Sequence, residues 1–228
     1  MRNPLAPAAP ESADDVVVAG PLQATHMPYI AMTANERFPV PDLVPGPGGW
    51  IAYRTAGPYD RYPGIDVLLA RTEGAPGGKV DGALLSPMRQ FDCMDRRRCQ
   101  GCGDPASYVP GKGTLWVRTK VRETGESTPR TGPTDMPPSC ARCALHWCPV
   151  LEERGRQLLW VRKAELVGVF ATVYPPPRGT AVPEQLVLWA DQRTLSAAVA
   201  TRLVCDLQKV TPADREFVAR LAAQQGNR

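Results

Sequence analysis

Two short stretches, CQGCG at residues 99–103 and PPSCARCALHWC at residues 137–148, carry the pattern from which the fold is read. In the first, two residues separate Cys99 from Cys102, a spacing at which a tight turn aims both sulfurs at one point. Gly103 accepts the backbone conformation that turns amides towards those sulfurs. In the second, Cys140 and Cys143 follow two prolines and Ser139. With Ser139 as the cap, both thiols are expected on the first turn of a helix, where the N-terminal dipole favours thiolate.

A knuckle, a hairpin of which TLWVRTKV (114–121) is one arm, and a helix carrying the second cysteine pair together describe a treble-clef-like zinc module. Four-cysteine coordination leaves no open position, so the expected cofactor is one structural Zn²⁺ whose binding contributes directly to folding. An iron–sulfur cluster and buried free thiols are the alternatives. His146 and Cys148 exceed what one tetrahedral ion needs and are the less favoured ligands: two turns into the helix, Cys148 is expected beneath the site and His146 at the surface. Cys93, and Cys205 on an apolar helical face, are read as small core residues.

Working outward, Ser86 and Pro87 mark a helix start before the knuckle, with Met88, Phe91 and Met94 at helical spacing up to Arg98. On the N-terminal side, WIAYRT (50–55) and DVLLAR (66–71) are short β-prone runs separated by Gly/Pro turns, and Val16–Ala19 and Tyr29–Met32 are candidate strands. PGPGGW (45–50) lacks the lysine of a phosphate loop and reads as a turn. A polar loop of about 15 residues ending at Pro138 is the expected mobile segment. On the C-terminal side, QLLWVRKAELVGVFATVY (157–174) reads as two strands joined by a tight turn near 164–168, and QLVLWA (185–190) as a further strand. Two helices follow over 194–209 and 212–225, the first from Leu195, Val199, Leu203 and Leu207, the second from Thr211, Pro212 and Asp214. A packed helical hairpin is favoured there over helix-turn-helix.

The expected class is therefore α+β: loop-rich, with the four-Cys module flanked by short β-strands and C-terminal helices. Four segments are expected: a disordered N-terminus over 1–14, a small β-rich unit over 15–85, the zinc module over 86–155, and a β-hairpin plus helices over 156–228.

Composition bounds the function. The 228 residues are 43% hydrophobic, enough for a core, and 20 Gly with 25 Pro predict long loops. No apolar stretch reaches membrane-spanning or signal-peptide length, so the chain is expected inside the cell, where seven cysteines point to metal or buried thiols over disulfides. A net charge of +4 is too small to dictate a nucleic-acid partner through counterion release. Arg96, Arg97 and Arg98 before the knuckle, and Arg118, Lys120 and Arg122 alternating along the hairpin strand, are the candidate partner or nucleic-acid contacts. Asp92, Asp95, Glu123 and Glu126 dilute that patch. A treble-clef nuclease needs histidines between Cys102 and Cys140, and that interval has none; no nucleophile elbow or HExxH motif occurs either, so an enzyme is the minor reading and no small-molecule substrate is expected.

The segments MPYIAMTANE (27–36), GGWIAYRT (48–55), RYPGIDVLLAR (61–71), MRQFDCMDRRRCQGCGDPA (88–106), PPSCARCALHWCPVL (137–151) and GVFATVYPP (168–176) resemble a group of zinc-cluster proteins from actinobacteria and their phages. That setting implies the recombination directionality factors that partner large serine integrases: non-enzymatic proteins that bind integrase and favour excision over integration. The resemblance thus implies a protein partner on DNA and a location in the bacterial host cytoplasm. A zinc-containing DNA-binding transcriptional regulator is the alternative, and a degenerate nuclease-like fold stands third.

Overall fold

The computed structural model describes residues 28–62, 65–119, 132–134, 136–146, 155–175 and 180–226. Strands β1 (Ala31–Thr33), β2 (Leu43–Pro45), β3 (Ile51–Tyr53), β4 (Arg61–Tyr62), β5 (Ile65–Leu69) and β6 (Val80–Leu85) precede helix α1 (Pro87–Asp95). Then come β7 (Tyr108–Val109), β8 (Gly113–Thr119), β9 (Gly132–Thr134), helix α2 (Ala141–His146), β10 (Arg156–Val173), β11 (Val182–Leu188), helix α3 (Gln192–Leu195), β12 (Ala198–Pro212) and helix α4 (Arg215–Gly226). The class is α+β. The expected strand at Val16–Ala19, the disordered start and most of the polar loop before Pro138 lie outside the described residues.

The chain forms two compact units, and each is discontinuous in sequence. One gathers 31–91 with 167–204; the other gathers 92–166 with 205–228 and the segment ending at Ile30. In the first unit, β1 pairs with β6, β2 with β3, and β4 with β5, all antiparallel, while β5 runs parallel to β12 and β10 pairs with β11. Tyr53, Leu68, Ala70 and Val199 form a buried cluster there, with Leu43, Ile51 and Tyr174 packed against it. The buried amide of Gln90 completes an exposed stretch of ladder: it donates to Leu203 O (3.1 Å) and accepts from Leu203 N (2.8 Å). A single side chain thereby does for β12 what a neighbouring strand otherwise would.

In the second unit, β7 and β8 form a hairpin, β8 pairs with β10 from Thr114↔Val161 to Thr119↔Arg156, and β9 pairs with β12. Helices α2 and α4 pack on this layer through Leu115, Val117, Ala144, Leu145, Trp160, Val218 and Leu221. Trp160 meets Phe217 edge to face at 6.0 Å. Helix α4 begins three residues later than expected, because Thr211 and Pro212 close β12; of the expected start residues Asp214 supplies the cap, its Oδ1 accepting from Phe217 N at 2.7 Å.

Three expectations are corrected. Residues 157–173 belong to a single strand of 18 residues, Arg156–Val173, with no tight turn. The Ala164–Gly168 stretch stays extended because partners change along it, β8 serving Arg156–Val161 and β11 serving Gly168–Val173. Residues 198–212 are strand, not helix, so α3 is a four-residue turn, Cys205 lies on a strand, and one C-terminal helix of length remains. Leu195, Val199, Leu203 and Leu207 are spaced by four, and four is a multiple of two as well as near one helical turn, so the pattern fits either element. β-branched residues in AVATRLVC and buried ladder partners decide for strand. The flanking strands accordingly include two long ones.

Gly113 has φ of 97°, and a Cβ there would lie 2.2 Å from Val161 O and 2.6 Å from Val161 C. The obstacle is backbone of the paired strand, which has nowhere to go. Gly113→Ala is expected to lose roughly 1–2 kcal/mol from the left-handed conformation alone, more with the clash. Its melting temperature should fall by several degrees in calorimetry; an unchanged melt would show that the hairpin turn relaxes.

Candidate metal centre

Four cysteine sulfurs converge in the second unit. Those of Cys99, Cys102, Cys140 and Cys143 all lie within 4.8 Å of one another. A tetrahedral ion with bonds of about 2.3 Å to sulfur needs sulfurs about 3.8 Å apart, and Cys102 Sγ stands 3.9 Å from Cys140 Sγ. Cys99, Cys140 and Cys143 are buried and Cys102 is half-buried. The donor set therefore fits one metal ion, and every ligand position is filled by protein.

The knuckle forms as its sequence requires. Gly103 N donates to Cys99 O at 2.9 Å and Cys99 N to Asp104 O at 2.7 Å, closing a turn that returns on itself. Gly101 N points at Cys99 Sγ (3.2 Å). Gly103 has φ of 77°, and a Cβ there would meet the Tyr29 ring at 2.7 Å. The Tyr29 contact was not legible in the sequence. Tyr29 N donates to Gly101 O (2.9 Å), Ile30 N to Gln100 O (3.3 Å), and the Tyr29 hydroxyl to Asp92 (3.4 Å), so a segment some seventy residues upstream is laid along the knuckle.

The second pair arrives on the rim of the hairpin. Ser139 N donates to Leu115 O (2.9 Å), Ser107 N to Ser139 O (3.2 Å), and Gln100 N to Pro138 O (3.1 Å), which ties Pro138–Ser139 to both strand and knuckle. Cys140 immediately precedes α2 and Cys143 lies in its first turn. The cap differs from expectation. Ser139 Oγ turns to Cys140 O (3.2 Å) and lies 3.7 Å from Cys99 Sγ, while Ala141 N is taken by Ser107 Oγ (2.9 Å) and Cys143 N by Cys140 Sγ (3.5 Å). Because Pro138 and Ser139 are engaged as a strand-like edge, the cap comes from a residue 34 positions away. His146 ends α2 and only its backbone is described; Cys148 lies outside the described residues.

Electrostatics points to a cation. Hydrogen bonds from Cys102, Cys140 and Cys143 hold the Cys99 thiol well below its ordinary range in spite of burial. The contacts with Cys140 and with Cys102 push Cys102 and Cys143, respectively, far above theirs, and burial adds to both. One thiolate is welcome in this cluster and further negative charge is resisted. A divalent ion supplies the missing positive charge and allows all four thiols to ionise. Metal binding then releases protons, so bound metal is expected to fall steeply on acidification. A chromogenic chelator in a pH series reads that release, and pH-independent retention would contradict thiolate ligation.

Among the described residues the two cysteines outside the cluster, Cys93 and Cys205, are core residues. Cys93 is fully buried, its thiol pushed up first by burial and then by Cys99 beside it, and it donates to Cys99 O at 3.6 Å. Cys205 is buried as well, and burial likewise raises its thiol.

The arginine run before the knuckle divides its roles. Arg97 turns inward with φ of 53°, donating to Ala164 O (2.6 Å) and Met94 O, facing Cys205 Sγ (3.6 Å) and lying 5.7 Å over the Trp116 ring. Its guanidinium braces the fold. Arg96 and Arg98 both pair with Asp92 (3.2 and 3.6 Å), and Arg98 also donates to Gly103 O (3.1 Å). Arg118 Nε donates to Gln157 (2.7 Å); Lys120 and Arg122 lie outside the described residues.

No protein-family model, curated protein or solved structure matches this chain. Among the described residues no helix is long and apolar enough to cross a membrane.

Proposed function

We propose that the four thiols hold one structural Zn²⁺ in a treble-clef-type module. We further propose that the chain is a non-catalytic accessory protein of the bacterial cytoplasm that binds a site-specific recombinase, switching a large serine integrase from integration to excision. The closed donor set carries this reading. Four protein sulfurs, three of them buried, complete a tetrahedron and leave no position for water or substrate, which suits a structural ion and not a hydrolytic one. Knuckle, β7–β8 hairpin and α2 follow one another in treble-clef order, and the sulfur spacing suits one ion better than a multi-iron cluster, which would hold its cysteines farther apart. The recombinase itself rests on the resemblance of the segments quoted above.

Such a factor acts by differential binding: it shifts an integrase equilibrium only as far as it prefers one arrangement of the synaptic complex over another. Purified integrase with attachment-site DNA tests this directly. Adding the protein should raise excision and depress integration, and unchanged site preference overturns the recombinase reading. Gel shifts without integrase separate the regulator alternative: salt-sensitive binding to bare DNA, weakened by Arg96→Ala, would favour that alternative. Elemental analysis should return about one zinc per chain, and iron in its place would overturn the choice of metal.

A further inference from the structure

The first unit carries a cleft of about 740 Å³, far from any role discussed so far. One wall is the β2–β3 hairpin with its Pro47–Gly49 turn; the other is the end of β10 with α3 and the turn that follows it. Trp50, Tyr174, Pro45, Pro175, Arg193 and Ser196 are among the lining residues. The walls are fixed by backbone hydrogen bonds: Gly46 N to Trp50 O (2.6 Å), Ile51 N to Ser196 O (2.8 Å) and Tyr174 N to Ala197 O (2.7 Å). Beneath them Leu43, Ile51 and Tyr174 rest on the buried cluster around Tyr53 and Leu68. The cleft is preformed, so a ligand meets little ordering cost on the protein side.

Its side-chain chemistry is lopsided. Trp50 offers an indole N–H, which only donates. Burial pushes the Tyr174 phenol above its ordinary range, which keeps the hydroxyl protonated. Arg193 is exposed and has no ion pair or hydrogen bond to a side-chain carboxylate among the described residues; nearby Asp191 is engaged in capping Thr194 N (3.0 Å). The Ser196 hydroxyl is committed as a donor to Arg193 O (2.8 Å). Arg61, outside the lining set, sits 5.9 Å from the Trp50 ring centroid and braces the indole. Flat aromatic and proline surfaces, side-chain donors and the exposed Arg193 guanidinium, which shares its field with Asp191 without an ion pair between them, call for a ligand with apolar ridges, acceptors and negative charge. A polyproline II strand has that character: its prolines lack N–H, its carbonyls point outward unsatisfied, and its ring faces recur every third residue.

We propose that this cleft binds an extended, proline-rich segment of a partner polypeptide carrying carboxylates beside its prolines. The proposal is independent of the recombinase reading, so either can fail alone.

A suitable probe is the synthetic peptide PEAPEAPESE, whose three prolines recur every third residue with a carboxylate beside each. Titrated into the full chain and followed by calorimetry, it should bind saturably. Trp50→Ala should abolish binding. Trp50→Phe and Tyr174→Phe, which keep the rings and remove one donor each, should weaken it about fivefold apiece. Arg193→Gln at an exposed position should weaken it and remove most of its salt dependence. Circular dichroism of each variant distinguishes loss of the cleft from loss of the fold. No binding at millimolar peptide overturns the proposal. So does binding that survives Trp50→Ala, equal binding of a peptide with all three prolines replaced by alanine, or self-association of the protein through the cleft without peptide binding.

Discussion

Cys99→Ser is expected to remove bound metal and the cooperative unfolding transition of the unit carrying the four thiols together. Structural zinc contributes on the order of 10–16 kcal/mol of apparent binding free energy in small zinc modules at neutral pH, while a whole domain is stable by roughly 5–15 kcal/mol. Loss of the ion therefore exceeds what packing around it can replace. The local reason is visible in the knuckle: Cys99 accepts Gly101 N, approaches Ser139 Oγ and is fully buried, so a serine there leaves a truncated, harder donor with no route to water. Cys143→Ser, one turn into α2, should do the same, and a strong chelator should reproduce both effects on the unaltered protein. Metal content and near-ultraviolet circular dichroism are the two readouts. Cys93→Ser and Cys205→Ala serve as controls that keep the metal, since neither sulfur belongs to the cluster. A Cys99→Ser protein that is metal-free yet melts cooperatively at the unaltered temperature would refute the structural role.

The second large effect is expected at Glu36, in the other unit. Arg89 grips its carboxylate with two bonds, Nη1 to Oε1 at 2.8 Å and Nη2 to Oε2 at 3.0 Å, and Thr33 adds its amide (2.9 Å) and hydroxyl (3.1 Å) to Oε2. The two side chains are 3% and 17% exposed, so this pair is sheltered from solvent screening. Glu36→Ala leaves the guanidinium buried beside Ala31 O with no counter-charge, a change that typically costs about 3–5 kcal/mol. Urea denaturation measures it, and a loss below about 1 kcal/mol would mean that water replaces the carboxylate.

The same site sets a pH dependence. Burial opposes ionisation of Glu36, but the hydrogen bonds from Arg89 and Thr33, with the guanidinium charge, outweigh it and hold the carboxyl below its ordinary value of 4.5. A carboxyl with a lowered folded-state pKa binds protons more readily when unfolded. Its stabilisation is therefore fully present above about pH 4.5 and disappears as pH falls through the lowered value. Glu36→Gln should flatten that acid limb of the stability curve, and at neutral pH Glu36→Gln/Arg89→Ala should recover part of the stability that Arg89→Ala alone loses.

How far residues alone could lead differs between the two halves of the metal centre. Cys99 and Cys102 need only a tight turn, and the turn is local: the glycines and the two-residue spacing contain all of it. Cys140 and Cys143 are likewise held together by one helical turn. The cap of that turn was misread because Ser107, which supplies it, lies across the hairpin, and no local pattern ties residue 107 to residue 141. Tyr29 against Gly103 escaped for the same reason. Arg97 was read as surface charge because a run of three arginines carries no mark of which one faces inward; the φ of 53° that turns it follows from the knuckle closing behind it.

The helix start at Pro87, the capping Asp214, the hairpin strand around Trp116 and the two local cysteine turns were thus determined by the sequence itself, since each rests on capping, β-propensity or spacing within a few residues. Whether residues 198–212 and 157–174 are helix, hairpin or continuous strand was decided only by tertiary structure. A four-residue apolar spacing satisfies both periods, and strand pairing is settled by partners far away in the chain. The two cysteine pairs, read from the sequence as one four-thiol site, are brought together by the hairpin and the Pro138–Ser139 edge, which carry the second pair back to the knuckle. That closure depends on hydrogen bonds between residues 34 to 40 positions apart, such as Ala141 N to Ser107 Oγ and Gln100 N to Pro138 O, which spacing along the chain does not reveal.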